Sequence, residues 1–304
     1  MNTRLKSLSI KKQESLVGYI FIIPFVAGFL IFGLLPMLFA VTISFMDIND
    51  LKSMASLENV SFAGFDNYKN FFMDTEALHS FLRTFTFAIV YVPALIIISL
   101  LLAVLMNKRY WGKNLTSTFI FMPYVSNIVA IGIVMSLLLD PSDGPVNQFL
   151  RMIGIANPPQ WLIGQHTALP TTALVSAWQG LAFYIIVYSV ALRNVPKDLY
   201  EAASIDGATP WKKFFHITLP QISPTTFMLS ITAIIGSLQN FAIIKNLTNG
   251  GPGNATTVAS MNIMTEAFEY NHFSYATSQA IVLFAFCLLV TFVQWRGQKR
   301  WVHY

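Results

Sequence analysis

Long uncharged runs alternate with polar connections along the whole chain. Residues 16–45, 84–106, 115–139, 171–192, 221–244 and 278–295 contain no Asp, Glu, Lys, Arg or His. Each has the roughly 17–25 residues that a helix needs to cross hydrocarbon. Because no water reaches backbone groups there, a helix that satisfies its own hydrogen bonds is the spanning element to expect. The pattern predicts an all-α polytopic membrane protein with six transmembrane helices, preceded by a tail at 1–15 and filling 16–304. Pro24, Pro36, Pro93, Pro123 and Pro224 lie within these runs and predict kinks. The first run is longer than a signal-peptide core of about 7–15 residues, so it is expected to stay in the mature chain.

Composition agrees: 55% of the 304 residues are hydrophobic and 11% are charged, against about 25% charged in soluble domains. The net charge of +5 acquires meaning only from its distribution. Threading the six runs alternately puts 14 of the 19 Lys and Arg in 1–15, 107–114, 193–220 and 296–304. The connections 46–83, 140–170 and 245–277 hold the other 5. By the positive-inside rule, both termini and the connection 193–220 are expected in the cytoplasm. The basic balance then reports topology, and no nucleic-acid partner is expected. Within 46–83, FAGFDNYKNFF suits either an amphipathic segment at the membrane interface or a plain loop.

The connection 193–220 is the most polar interruption. Pro196 at a first helical position, Asp198 in the first turn and Gly207 as a stop predict one short helix. Thr209 and Pro210 cap and start a second, which Leu219 and Pro220 are expected to end. Ala202 and Ala203 leave a face that another surface can approach closely, with Glu201 as an anchoring charge. Two amphipathic turns resting on lipid headgroups, held by Trp211, Lys212 and Lys213, fit the same residues.

The order of residues in EAASIDGATPWKKFFHITLP, from Glu201 to Pro220, closely resembles the EAA loop of ABC importer permeases. GYIFIIPFVAGFLIFGLLPMLFAVTISFMD, FAGFDNYKNFF, GPVNQFL, WLIGQHTAL and LTNGGPGNATT follow in the order of the sugar-importing, maltose-permease-like branch, so the resemblance covers nearly the whole chain. The extra N-terminal spans and large inserted external domain of some members are not matched. The resemblance implies the type I importer permease fold in a bacterial cell membrane. It also implies that Glu201, Ala202, Ala203, Asp206, Gly207, Ala208, Leu219 and Pro220 couple the chain to ATPases. The implied partners are a second homologous permease, two cytoplasmic ATPase subunits, an extracytoplasmic sugar-binding protein, membrane lipid and a sugar substrate.

No catalytic chemistry competes with this reading. His79, His166, His216, His272 and His303 are scattered, without HExxH or Cys/His metal spacing, so no metal site is expected. There is neither a GxSxG elbow nor a GxxxxGK[ST] loop. ATP and Mg are therefore expected on partner subunits, with no cofactor on this chain. Cys287 reads as a small core residue. An ion-coupled secondary transporter and a membrane-embedded enzyme remain the alternatives, but both favour ionisable groups inside spans, and these runs have none. A neutral polyhydroxyl substrate needs hydrogen-bonding groups and aromatic faces instead. Ser176, Gln179, Gly180 and Phe183 are expected on one helical face of the fourth span, and Gly236, Ser237 and Asn240 on one face of the fifth. Those faces fit a substrate path; ordinary interhelical packing fits them equally. Gln239 falls off the second stripe and ranks below Asn240.

Overall fold

The computed structural model describes residues 10–48, 50, 53, 60–108 and 111–298. The residues before 10, and Lys299, Arg300 and His303, lie outside the described residues. The first third of the chain holds helices α1 (Ile10–Phe29), α2 (Leu35–Ser44), α3 (Asp66–Met73) and α4 (Thr75–Asn107), with strands β1 (Met46–Asp47) and β2 (Ser61–Phe62) between α2 and α3. Then come α5 (Lys113–Val125), α6 (Ile128–Leu138), α7 (Pro145–Met152) and α8 (Ala168–Asn194). The short helices α9 (Lys197–Ile205), α10 (Pro210–Lys213) and α11 (Leu219–Gln221) lead into α12 (Ser223–Leu238), α13 (Ala242–Leu247), α14 (Ala259–Phe268) and α15 (Phe273–Gly297).

Four stretches are long and apolar enough to cross a membrane singly: Val17–Ser44, Thr75–Asn107, Ala168–Asn194 and Phe273–Gly297. Two further stretches are bent pairs, Lys113–Val125 with Ile128–Leu138 at 111° and Pro210–Gln221 with Ser223–Leu238 at 68°. The run 115–139, expected as one helix, is thus corrected to two. Asn127 is the reason: in extended conformation it caps α6, its Oδ1 accepting from the Val129 N–H at 2.8 Å. The fifth run is likewise divided, ending α12 at Leu238 and restarting at Ala242.

The prolines act by different means. Pro24 and Pro93 sit inside continuous helices. Pro36 follows a π-helical turn, Leu30–Leu34, and Pro220 follows another, Phe214–Thr218. In an α-helix a proline leaves the carbonyl four residues back without its donor and crowds it. Here the register has just widened, with Leu35 N–H donating to Leu30 O and Leu219 N–H to Phe214 O, which makes room for the ring. Leu219 and Pro220 therefore do not end the helix, as their sequence suggests; they begin α11.

Two compact units are formed. The first, residues 1–71 and 266–281, has a small core of Ile43, Ile48 and Phe273. Asn67 Nδ2 donates to Ser44 O at 3.0 Å and Met46 O at 2.8 Å. Tyr68 shares a hydrogen bond with Ser44 Oγ at 2.7 Å, and Phe45, Phe65 and Tyr68 form an aromatic group. FAGFDNYKNFF thus starts in β2 and turns into α3 from Asp66 onward, with Asn67 and Tyr68 tied to the end of α2. No residue in the most apolar window of Val17–Ser44 is buried; apolar side chains point outward all round it, as suits a helix surrounded by lipid or protein.

The second unit, residues 72–265 and 282–304, is built on the pair α4 and α8. Phe87, Tyr91 and Leu95 of α4 share its main core with Ala173, Ala177, Leu181 and Tyr188 of α8. Small residues at 173, 177 and 180 let the backbones approach, which is how apolar helices pack where the hydrophobic effect offers no preference over lipid. Cys287 is buried in a second cluster with Leu238, Ala259 and Leu283.

Candidate functional site

The segment 196–221 folds into an angled brace. Pro196 is the N-cap of α9, one position earlier than expected, and Asp198 occupies the first turn. At the other end Gly207 takes φ +71°. Its N–H donates to Ser204 O at 3.1 Å, and the Ala208 N–H reaches back to Ala203 O at 2.9 Å, the paired closure by which left-handed glycines satisfy terminal carbonyls. Thr209 then caps α10, its Oγ1 accepting from the Lys212 N–H at 3.4 Å.

Two side-chain ties cross the corner. Tyr200 Oη and Thr218 Oγ1 are 2.8 Å apart, joining α9 to the π turn. Lys213 Nζ donates to Ser204 Oγ at 2.6 Å, and that hydroxyl donates to Tyr200 O at 2.7 Å. Sequence reasoning missed Tyr200, Ser204 and Thr218, although the i, i+4 spacing of Tyr200 and Ser204 marks a shared face; Lys213, read from the sequence as a headgroup anchor, is tied to Ser204. Outside the ties, Glu201, Ala202, Asp206 and Gly207 are exposed, Ala203 and Ala208 are half-buried, and Leu219 and Pro220 are half-buried in the turn that follows. Ile205 is 88% exposed at the tip. The result is a stiff corner with a small-residue face and one apolar point available to another surface.

The expected substrate faces are arranged differently. Ser176 is buried and donates to Thr172 O at 2.7 Å. Gly180 faces α4: a Cβ there would stand 3.5 Å from Leu95 Cδ1 and 3.7 Å from the Tyr91 hydroxyl. Gln179 is half-buried and Phe183 exposed, its ring edge-on to Tyr184. On the fifth span the single-face expectation fails because α12 ends at Leu238, before Asn240. Ser237 is buried and bonded to Ile234 O, whereas Gly236 opens onto empty space. Asn240 is half-buried, its carbonyl accepting from Ser260 Oγ at 2.7 Å. Met228, Thr232, Gly236 and Gln239 make the exposed stripe instead, so Gln239 belongs with Gly236 after all.

The connections after α6 and α13 are locally rigid. Asn147, buried, donates to Pro141 O and Pro159 O at 3.1 and 3.2 Å and accepts from Trp161 Nε1 at 2.6 Å. In the glycine-rich turn, Thr248 and Thr256 hydroxyls meet at 2.7 Å and Thr256 Oγ1 donates to Gly251 O at 2.8 Å. Gly250 at φ +86° lies so close to Thr257 Oγ1 that a Cβ would come within 2.7 Å. The two connections border an open recess of about 330 Å³ lined by Asp140, Leu162 and Thr248 among others. Among the described residues, no three His, Cys, Asp or Glu side chains are grouped to hold a metal ion.

Comparison with known proteins matches residues 61–301 to the family described as binding-protein-dependent transport system inner membrane component. The probable ABC transporter permease protein YesP of Bacillus subtilis is 32% identical over 98% of this chain and 95% of its own length. The lactose transport system permease protein LacF of Rhizobium radiobacter is 31% identical over 96% of this chain and 97% of its own. Among solved structures, a chain of the bacterial alginate ABC transporter in complex with alginate pentasaccharide-bound periplasmic protein superposes with a TM-score of 0.80 at 24% identity, over 95% of this chain and 96% of that one. The fold is therefore that of an ABC importer permease, and the chain belongs to the family of binding-protein-dependent transport system inner membrane components.

Proposed function

We propose that this chain is the permease subunit of an ATP-driven importer that carries a sugar or oligosaccharide into the cytoplasm of a bacterium, with both termini on the cytoplasmic side. The observation that carries the coupling role is the braced corner at 196–221, stiff within and open on the face of Glu201, Ala202 and Ala203. A second homologous permease, two ATPase subunits binding ATP and Mg, and an extracytoplasmic sugar-binding protein complete the machine. ATP binding closes the ATPases, and the corner transmits that movement as a lever. Glu201 anchors the docked helix, the alanines permit close contact, and Gly207 holds the angle. The two permeases then rock around a site between their spans.

A sugar cargo is supported by the relatives, one a lactose transport system permease, and by the six apolar runs without charged residues. A neutral polyol needs hydroxyl, amide and aromatic groups, not an ion pair. Gln179, Phe183, Gly236 and Asn240, joined by Gln239, are the residues we assign to the path; Ser176, Gly180 and Ser237 serve packing beside it. Uptake by the complex in proteoliposomes is expected to require internal ATP and the binding protein, and to survive collapse of ion gradients. Uptake by the purified single chain driven by an ion gradient alone would refute the proposal in favour of a secondary transporter.

A further inference from the structure

A cleft of about 950 Å³ opens between the end of α4, the end of α8 and the corner segment. Its volume lies in the range of small-molecule sites, roughly 300–1,000 Å³. The floor is apolar, with Leu101, Val104 and Leu105 on one side and Phe214 on the other. Leu101 and Leu105 are half exposed although they face this recess. Around it stand Lys108, Arg193, Lys197 and Lys213, and no carboxylate lines it. Lys213 donates to Ser204 Oγ; Lys108, Arg193 and Lys197 have no ion-pair partner among the described residues. Trp211, 72% exposed, completes the rim.

Four basic residues lining one cleft with no carboxylate among its lining residues favour an anion, and an apolar floor favours hydrocarbon. One molecule with both parts, anionic at one end and aliphatic beyond it, answers the whole lining. Basic pockets between spanning helices on the cytoplasmic side suit anionic lipid headgroups, and tryptophan favours the same depth. We propose that this cleft seats one anionic phospholipid, its phosphate held by Lys108, Arg193 and Lys197 and an acyl chain lying along Leu101 and Leu105. The proposal rests on the reading that these basic residues lie at the cytoplasmic face. None of Glu201, Ala202 and Ala203 lines the cleft, so lipid and ATPase would use separate residues. Because Tyr200 and Lys213 line it while also tying the corner, a bound lipid would stiffen the lever.

The test is native mass spectrometry of the purified full chain with phosphatidylglycerol and phosphatidylcholine of matched acyl chains. One phosphatidylglycerol is expected to be retained preferentially. Arg193→Gln with Lys197→Gln should lower that retention roughly thirtyfold, given about a kcal/mol of attraction for each of the two basic residues. Arg193→Lys with Lys197→Arg should keep it, which controls for folding. Leu105→Trp, which fills the floor without altering charge, should also lower it. Inorganic phosphate should not displace the lipid. Equal retention of both lipids, displacement by phosphate, or parental retention in the Gln double variant would overturn the site. The readout needs neither ATP nor sugar, so such a result leaves the transport reading standing.

Discussion

Replacing Gly207 tests whether the corner of the 196–221 segment works as a lever. The residue holds φ +71°, and a Cβ there would meet nothing within 4 Å. Alanine therefore costs only the left-handed conformation, about 1–2 kcal/mol, which is a factor of roughly 5–30 in the population of the corner. Asparagine tolerates that region better than other residues with side chains and should lose least. Proline cannot adopt the angle and removes the 3.1 Å bond from the residue 207 N–H to Ser204 O, so it should cost more than alanine. The ties Tyr200–Thr218 and Lys213–Ser204 remain in all three variants and keep the effect of alanine toward the lower end. ATP-driven uptake and substrate-stimulated ATP hydrolysis by the reconstituted complex should fall in the order asparagine, alanine, proline, while all three variants still insert into the membrane. Parental uptake by the proline variant would refute the lever, and equal losses in all three would show that the angle is not what matters.

Other residues test neighbouring steps. Tyr200→Phe removes the 2.8 Å bond to Thr218, about 1 kcal/mol net, and should reduce uptake several-fold in the same assay without preventing membrane insertion. Asn147→Leu strands the Trp161 indole N–H and takes the Asn147 donor from the Pro159 carbonyl, while the Pro141 carbonyl keeps its bond from Arg151 Nη2 at 2.8 Å; at roughly 1–3 kcal/mol for a group that stays buried without a partner, a lowered thermal unfolding midpoint is the expected result. Gly236→Leu enters open space, so it should leave that midpoint unchanged while reducing sugar uptake if its face lines the path. Gly180→Leu would press on Leu95 and Tyr91 and should lower stability by about 1–3 kcal/mol, the usual cost of overpacking.

What could be read from the sequence was what is local. Uncharged length located the apolar stretches, because the energetic demand on a span is met by its own residues. The corner was legible for a similar reason: Asp198, Gly207, Thr209 and Pro210 each act on the backbone within one turn. The break at Asn127 was also local, yet it lay within an apolar run whose length argued for continuity, and capping by one side chain prevailed over hydrophobicity. At Pro220 the error ran the other way, since a proline normally stops a helix and the preceding π turn that accommodates it has no comparable residue signature.

The faces of the fourth and fifth spans show where local reasoning stops. Periodicity groups Ser176 with Gly180 correctly, but it cannot tell whether the face meets a ligand or another helix; Leu95 and Tyr91, some 85 positions earlier in the chain, decide that Gly180 packs. Gly236 and Ser237 are adjacent and similar in size, yet one is open and the other buried, because neighbours on a helix point about 100° apart and only packing selects the outward one. Extending that stripe to Asn240 assumed a helix that ends at Leu238. Gln239, set aside on ideal geometry, is exposed precisely where the helix has finished, so Gln239→Ala in the uptake assay should cost at least as much as Asn240→Ala, whose backbone carbonyl bond to Ser260 survives the change. The reverse order would return the path to the stripe that an unbroken helix would have made.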